Sequence, residues 1–186
     1  MFDRSRYLTG DDATERAFQN AGVERARIVH IAAHSYVDNE DVRRSFIVLT
    51  PEARPEGDGE GVDDGLLQWH EIAGLRLDAA LVTLSACRAA GGVLAHGEGI
   101  TGLTQAFLYA GGDCVLASFV DVSDRFAGRF MAAFYRGLKG GLGGAAALRA
   151  AQIEAMGWDD IAYEPALWGS FALIGNGSFV LPTLDN

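Results

Sequence analysis

Short apolar runs separated by longer helical patterns set the limits on what this chain can fold into. Arg27–Ala33 (RIVHIAA), Ala80–Ala86 (ALVTLSA) and Cys114–Val120 (CVLASFV) are each seven residues long. That is the length of a strand buried on both faces and far below the roughly 18 apolar residues of a membrane span. Ser45–Leu49 (SFIVL) and Phe171–Ile174 (FALI) are shorter runs of the same kind. Helical patterns lie between and before them. The first runs to about Ala21, with Thr9, Asp11 or Asp12 as cap and Ala13, Ala17 and Phe18 facing inward. A short helix-like turn follows at LLQWHEIAGL, then helices near Thr101–Tyr109, Asp124–Leu138 and Gly144–Met156. Phe126, Phe130, Met131, Phe134 and Leu138 recur at helical spacing as core positions, and Trp168 and Phe171 also read as packing. Strands alternating with helices predict an α/β fold, a mostly parallel sheet with helices on both faces.

Length and charge narrow the class. At about 150 residues per domain, 186 residues make one domain spanning 1–186. A 49% hydrophobic and 22% charged composition excludes a disordered chain. The net charge of -10 opposes direct nucleic-acid contact, which needs a basic footprint. Much of the acid is local: nine acidic and three basic residues lie between Tyr36 and Asp64. Overlapping that span, Pro51–Gly65 is a solvated loop of Gly, Pro and acid, with autoprocessing as the sharper alternative. The N-terminal MFDRSRYLTG lacks a secretion signal, and the expected setting is soluble and cytoplasmic. The 14 Arg against one Lys suggest a GC-rich bacterial genome. Two cysteines in such a chain do not form a disulfide framework, so each is weighed as a thiol.

In a parallel α/β sheet, ligands bind beyond the carboxyl ends of the strands. Two of the apolar runs end on reactive side chains, RIVHIAA on His34 and ALVTLSA on Cys87. If those strands are neighbours, an imidazole and a thiol emerge side by side, and the imidazole can take the thiol proton. The backbone N–H groups of Ser35 and Cys87 would then face a developing oxyanion, with Arg88 and the Gly91–Gly92 pair beside it. A buried, inert thiol at Cys87 is the competing reading, and pattern alone leaves both standing.

HIAAHS, LSACRAAGG, GEGITGLTQAFLYAGG, VLASFVDVSD, FMAAFYRGL, AALRAAQ and WGSFALIGN follow one another from about Arg27 to Asn176. In that order and near that spacing, they resemble the CHAT domain, a bacterial branch of the caspase-like cysteine peptidases often found beside tetratricopeptide repeats. The resemblance implies a caspase-like three-layer sandwich, a His–Cys dyad at His34 and Cys87, and an oxyanion hole from the backbone at Cys87 and just after His34. Three departures stand out. Ser35 occupies the usual Gly position. The family's Ser-Leu-Trp-Pro-Val-x-Asp stretch reads Ser118-Phe119-Val120-Asp121-Val122-Ser123-Asp124, without the Trp. Family members also carry more sheet and helix before the His strand than the 26 residues here, so a minimal form, a subunit and a piece of something longer all remain open.

Other motifs carry less. Gly97–Gly102 fits G-x-G-x-x-G with Asp121 about twenty residues on, but ten residues separate it from the preceding strand end at Cys87. A glycine-rich loop by the site is preferred to a dinucleotide site. His30 and His34 lack the partners of a metal site; His30 reads as a hydrogen-bonded core histidine, and His70 and His96 as surface residues. Cys114 starts its strand while Cys87 ends its own, about 20 Å apart on adjacent parallel strands, so no disulfide is expected and Cys114 is structural. Asp121 and Asp124 sit at the same sheet edge as the dyad. Either they line a pocket for a basic side chain, or Asp124 merely caps the next helix. The sequence thus points to a cysteine endopeptidase acting on a protein or peptide substrate, with no metal or organic cofactor and no membrane contact. A tetratricopeptide-repeat or other regulatory partner is expected from the resemblance. The alternative is a catalytically silent scaffold or signalling module.

Overall fold

The computed structural model describes residues 5–38, 40–52, 64–85, 102–159 and 164–181. Its elements are, in chain order, α1 (Glu15–Gln19), β1 (Ile28–Ile31), β2 (Ser35–Tyr36), β3 (Phe46–Val48), β4 (Leu66–Gln68), α2 (Trp69–Gly74), β5 (Leu81–Leu84), α3 (Leu103–Tyr109), β6 (Cys114–Ser118), α4 (Asp124–Lys139), α5 (Gly144–Met156), α6 (Pro165–Trp168) and β7 (Phe171–Gly175).

The three seven-residue runs become adjacent parallel strands. The main sheet has the order β1-β5-β6-β7, with β7 antiparallel to β6. Ile28 pairs with Leu81 and Ile31 with Leu84, so β1 and β5 run in step over their whole length. Successive side chains in a strand point to opposite faces, and both faces are used. Val29, Ile31, Val82, Leu84, Val115 and Ala117 pack with Ile72, Leu103, Ala106 and Phe107 of α2 and α3. Leu81, Cys114 and Leu116 lie in the opposite cluster, under α4 and α5. The stripe expected on α4 is there: Phe126, Phe130, Met131, Phe134 and Leu138 are buried, and Phe130 stacks on Phe171 of β7 at 4.9 Å. Trp168 packs against the same cluster. This is the mixed α/β sandwich with a mostly parallel sheet and a C-terminal strand that the apolar runs predict.

Three features differ from the sequence reading. Leu66–Gln68 is a strand, not the start of a helical turn; only Trp69–Gly74 is helix. It joins β2 and β3 in a second, antiparallel sheet of order β2-β3-β4, so SFIVL lies outside the parallel sheet. Its Ile47 and Leu67 sides are buried in the core beneath, and that burial decides where the short runs go. The first helix is only Glu15–Gln19 and its cap is Thr14, whose hydroxyl accepts from the Ala17 N–H at 3.1 Å. Thr14 also donates to Glu52, which pairs with Arg16 at 3.0 Å, fastening the start of the acidic loop.

The α3–β6 turn shows what glycine contributes. Gly111 has φ +106°, and a Cβ there would collide with the Leu77 carbonyl oxygen. The neighbouring Leu77 N–H donates to Ala110 O, and the Asp113 N–H to Ala79 O, each at 2.8 Å, so the two backbones are held close. Gly111→Ala combines an unfavourable φ with a backbone clash. A stability loss of at least about 1–3 kcal/mol is expected, read as a lower urea midpoint with an unchanged m-value.

Candidate active site

β1 and β5 are neighbours, which the dyad reading requires. They are parallel, and the Ser85 N–H donates to Ile31 O at 2.9 Å, carrying the pairing one residue past the strand ends. Their carboxyl ends, and that of β6, therefore open on one edge of the sheet. His34 lies three residues past Ile31 and is exposed. Its carbonyl accepts the Val48 N–H at 2.8 Å, and half-buried Ser35 pairs with Ile47, so the backbone around His34 is fixed by the second sheet. Cys87 and Arg88, three and four residues past Leu84, lie outside the described residues, as do Gly91, Gly92, His96 and residues 97–101. Gly102, the last glycine of that motif, precedes α3 with φ +133°.

Asp121 and Asp124 follow β6 and are both exposed. Asp124 occupies the first turn of α4 but does not cap it. Ser123 does, accepting the Phe126 N–H at 3.3 Å. Asp124 instead favours the positive end of the helix dipole. Ser118 closes the turn after β6 by donating to Val120 O at 2.6 Å. The capping alternative for Asp124 is thereby removed, while its carboxylate stays at the surface beyond the strand ends.

His30 and Thr83 are register partners on β1 and β5, and α4 brings Tyr135 over both. The Tyr135 hydroxyl donates to Thr83 Oγ1 at 2.8 Å and lies 3.0 Å from His30 Nδ1. The hydroxyl thus ties the two strands together at one register position. Burial holds the His30 imidazole below its ordinary pKa and pushes the Tyr135 hydroxyl well above its own. His30 is hydrogen-bonded as expected, but it lies exposed on an edge strand, not in the core. Sequence reasoning missed Tyr135. Its only signal is a polar-tipped ring beside an apolar stripe, and that signal needs the β1–β5 register to become readable.

Cys114 is a fully buried free thiol, raised to about 11 by burial and then by the charge of Asp113. That is the inert character expected of it. His70 is exposed, as expected. Among the described residues no group of three or more His, Cys, Asp or Glu is placed to hold a metal ion, and no helix is long and apolar enough to cross a membrane.

The family profile of the CHAT domain matches residues 1–176. The chain belongs to the CHAT domain family. CHAT is a caspase-like family, and the layered sheet just described fits that fold. Over 199 aligned positions the domain is 30% identical to tetratricopeptide repeat protein 28 of Mus musculus and 29% identical to the Homo sapiens protein of the same name. In each case 91% of this chain aligns, and it spans 8% of the relative's length.

Two measurements check this chemistry. His30 titrates lower in the fold than its unfolded value of about 6.5. The unfolded chain therefore binds the extra proton first as pH falls. Stability present above about pH 6.5 is lost as pH drops from there through the lowered folded value. Urea midpoints at pH 7.5 and 5 should show this, with a smaller difference in His30→Gln. In a Cys87→Ala background, Cys114 should react with a thiol reagent at pH 8 only after unfolding, so native protein gives no fast phase.

Proposed function

We propose that this CHAT domain is a cysteine endopeptidase that cleaves a protein substrate by acyl transfer. The observation that carries the reading is the register of β1 on β5. Their last paired residues are Ile31 and Leu84, and His34 and Cys87 each follow three positions later in the chain. Two parallel strands that end together deliver whatever follows them to one sheet edge, where α/β sheets hold their ligands.

Cys87 Sγ, as thiolate, attacks the scissile carbonyl, with His34 having taken the thiol proton. The carbonyl oxygen becomes the oxyanion of a tetrahedral intermediate, held by the backbone N–H groups of Ser35 and Cys87. Collapse breaks the C–N bond, and the proton on His34 passes to the leaving amine. Water, deprotonated by His34, then attacks the thioester and releases the acid and the free thiol. Asp121 and Asp124 beyond β6, with Arg88 after the nucleophile, would contact the substrate. The two carboxylates favour a basic side chain before the cut. Because the relatives are named for tetratricopeptide repeats, a repeat-containing partner or fused repeat is the regulator to test. The same naming favours the second reading, a caspase-like scaffold that binds a protein partner without cleaving it.

Incubation with a proteome-derived peptide library, with and without a tetratricopeptide-repeat partner, separates these. Wild type should cleave, Cys87→Ala should lose at least about 10³-fold, and His34→Ala about 10²- to 10⁴-fold. Asp121→Asn with Asp124→Asn should lower the preference for a basic residue by about two- to fivefold, as fits exposed charges. Absence of cleavage by wild type under all conditions would leave the scaffold reading in place.

A further inference from the structure

The three-stranded sheet has one buried face and one open face, and His34 belongs to the open one. Ser35 pairs with Ile47 and Tyr36 with Phe46, while Ile47 pairs with Leu67 and Val48 with Leu66. Ile47 and Leu67 are 1% and 0% exposed. Side chains alternate along a strand, so Tyr36, Phe46, Val48 and Leu66 share the opposite face. The Val48 N–H bond to His34 O sets His34 opposite Val48 and extends the same alternation back to it. Exposure follows that alternation: His34 and Tyr36 are exposed, and Ser35 between them is half-buried. Tyr36 is 52% and Val48 41% exposed, and the Tyr36 ring stacks on Phe46 at 5.3 Å. The turn beyond is tied down. Asp38 Oδ1 accepts the N–H groups of Glu40 and Asp41 at 2.8 and 3.0 Å, and the Asp38 N–H donates to Ser45 Oγ. The aromatic pair is therefore a fixed, solvent-facing apolar platform on the strand that follows His34.

We propose that this face, centred on Tyr36 and Phe46, docks an apolar or aromatic substrate side chain on the leaving-group side of the scissile bond, one or two residues past the cut. The inference rests on the peptidase reading and adds a subsite to it. Strand order supplies the side. β5 lies between β1 and β6, so chain leaving β1 at His34 and chain leaving β6 at Asp121 flank the exit of β5 from opposite directions. With the carboxylates of Asp121 and Asp124 holding the residue before the cut, the Tyr36 face meets the residues after it. Spacing supplies the reach. Tyr36 is two residues from His34, about 7 Å along a strand, which matches the same-side repeat of an extended peptide. A fixed, half-exposed tyrosine is also a common anchor in polypeptide recognition.

Positional-scanning libraries varied at the first two positions after the cut test the idea with wild type, Tyr36→Ala and Tyr36→Phe. Wild type should favour Leu, Met, Phe or Tyr over Gly or Asp at one of these positions. Tyr36→Ala should erase that preference and cut kcat/KM for the favoured peptides about tenfold, through KM rather than kcat. Tyr36→Phe should restore it. A thermal midpoint close to wild type for Tyr36→Ala excludes loss of fold as the cause. Cleavage by wild type with no apolar preference, or a preference that survives Tyr36→Ala, overturns the docking face and leaves the peptidase intact. If wild type cleaves nothing, the peptidase reading falls and the docking face falls with it.

Discussion

The parallel pairing of β1 with β5 is the constraint on which the rest depends. Parallel strands need a long crossover between them, and here more than forty residues separate Ile31 from Leu81. That connection is not a plain helix. It contains the second sheet and α2, which lie over one face of the main sheet and bury Ile47, Leu67 and Ile72 there. Covering of both faces by α2 and α3 on one side and α4 and α5 on the other lets all four residues of β5 be fully buried. The strand can be uniformly apolar because neither of its faces meets water, Thr83 being satisfied by Tyr135.

The same pairing gives the site its logic. Three carboxyl ends at one edge bring together residues distant in the chain, while β7, antiparallel at the far edge, ends the sheet on that side. His34 stands at the junction of two sheets, its residue preceded by the end of β1 and its carbonyl bound to β3. Its backbone is held more firmly than that of an ordinary loop residue. The carboxylates of Asp121 and Asp124 after β6 are exposed by contrast.

Legibility in the sequence followed the strength of local signals. β1, β5 and β6 were readable because short, mostly apolar runs of strand length have few alternatives. α4 was readable from 3.6-residue periodicity, to within a residue at its end, and α5 from an alanine-rich run set off by the preceding glycines. Leu66–Gln68 was not, since three residues running directly into Trp69–Gly74 carry no period of their own, and only pairing with Phe46–Val48 makes them a strand. The open face beside His34 was hidden for the same reason. Tyr36 and Phe46 are ten residues apart and meet only through the hairpin. The placement of His34 and Cys87 after two apolar runs was visible at once, whereas Tyr135 acquires meaning only when His30 and Thr83 come opposite each other.

The bond from the Val48 N–H to His34 O has a kinetic consequence. It makes the three-residue link Ala32–His34 common to two separately paired sheets, so the histidine backbone is native only when both sets of pairings exist. The small sheet has short strands and one open face, and elements of that kind open locally at less cost than a buried parallel core. Local opening of the hairpin would release His34 while β1, β5 and β6 stay paired. In hydrogen exchange, the amide of Val48 should therefore report release of His34 well before the amide of Ser85 reports loss of the fold.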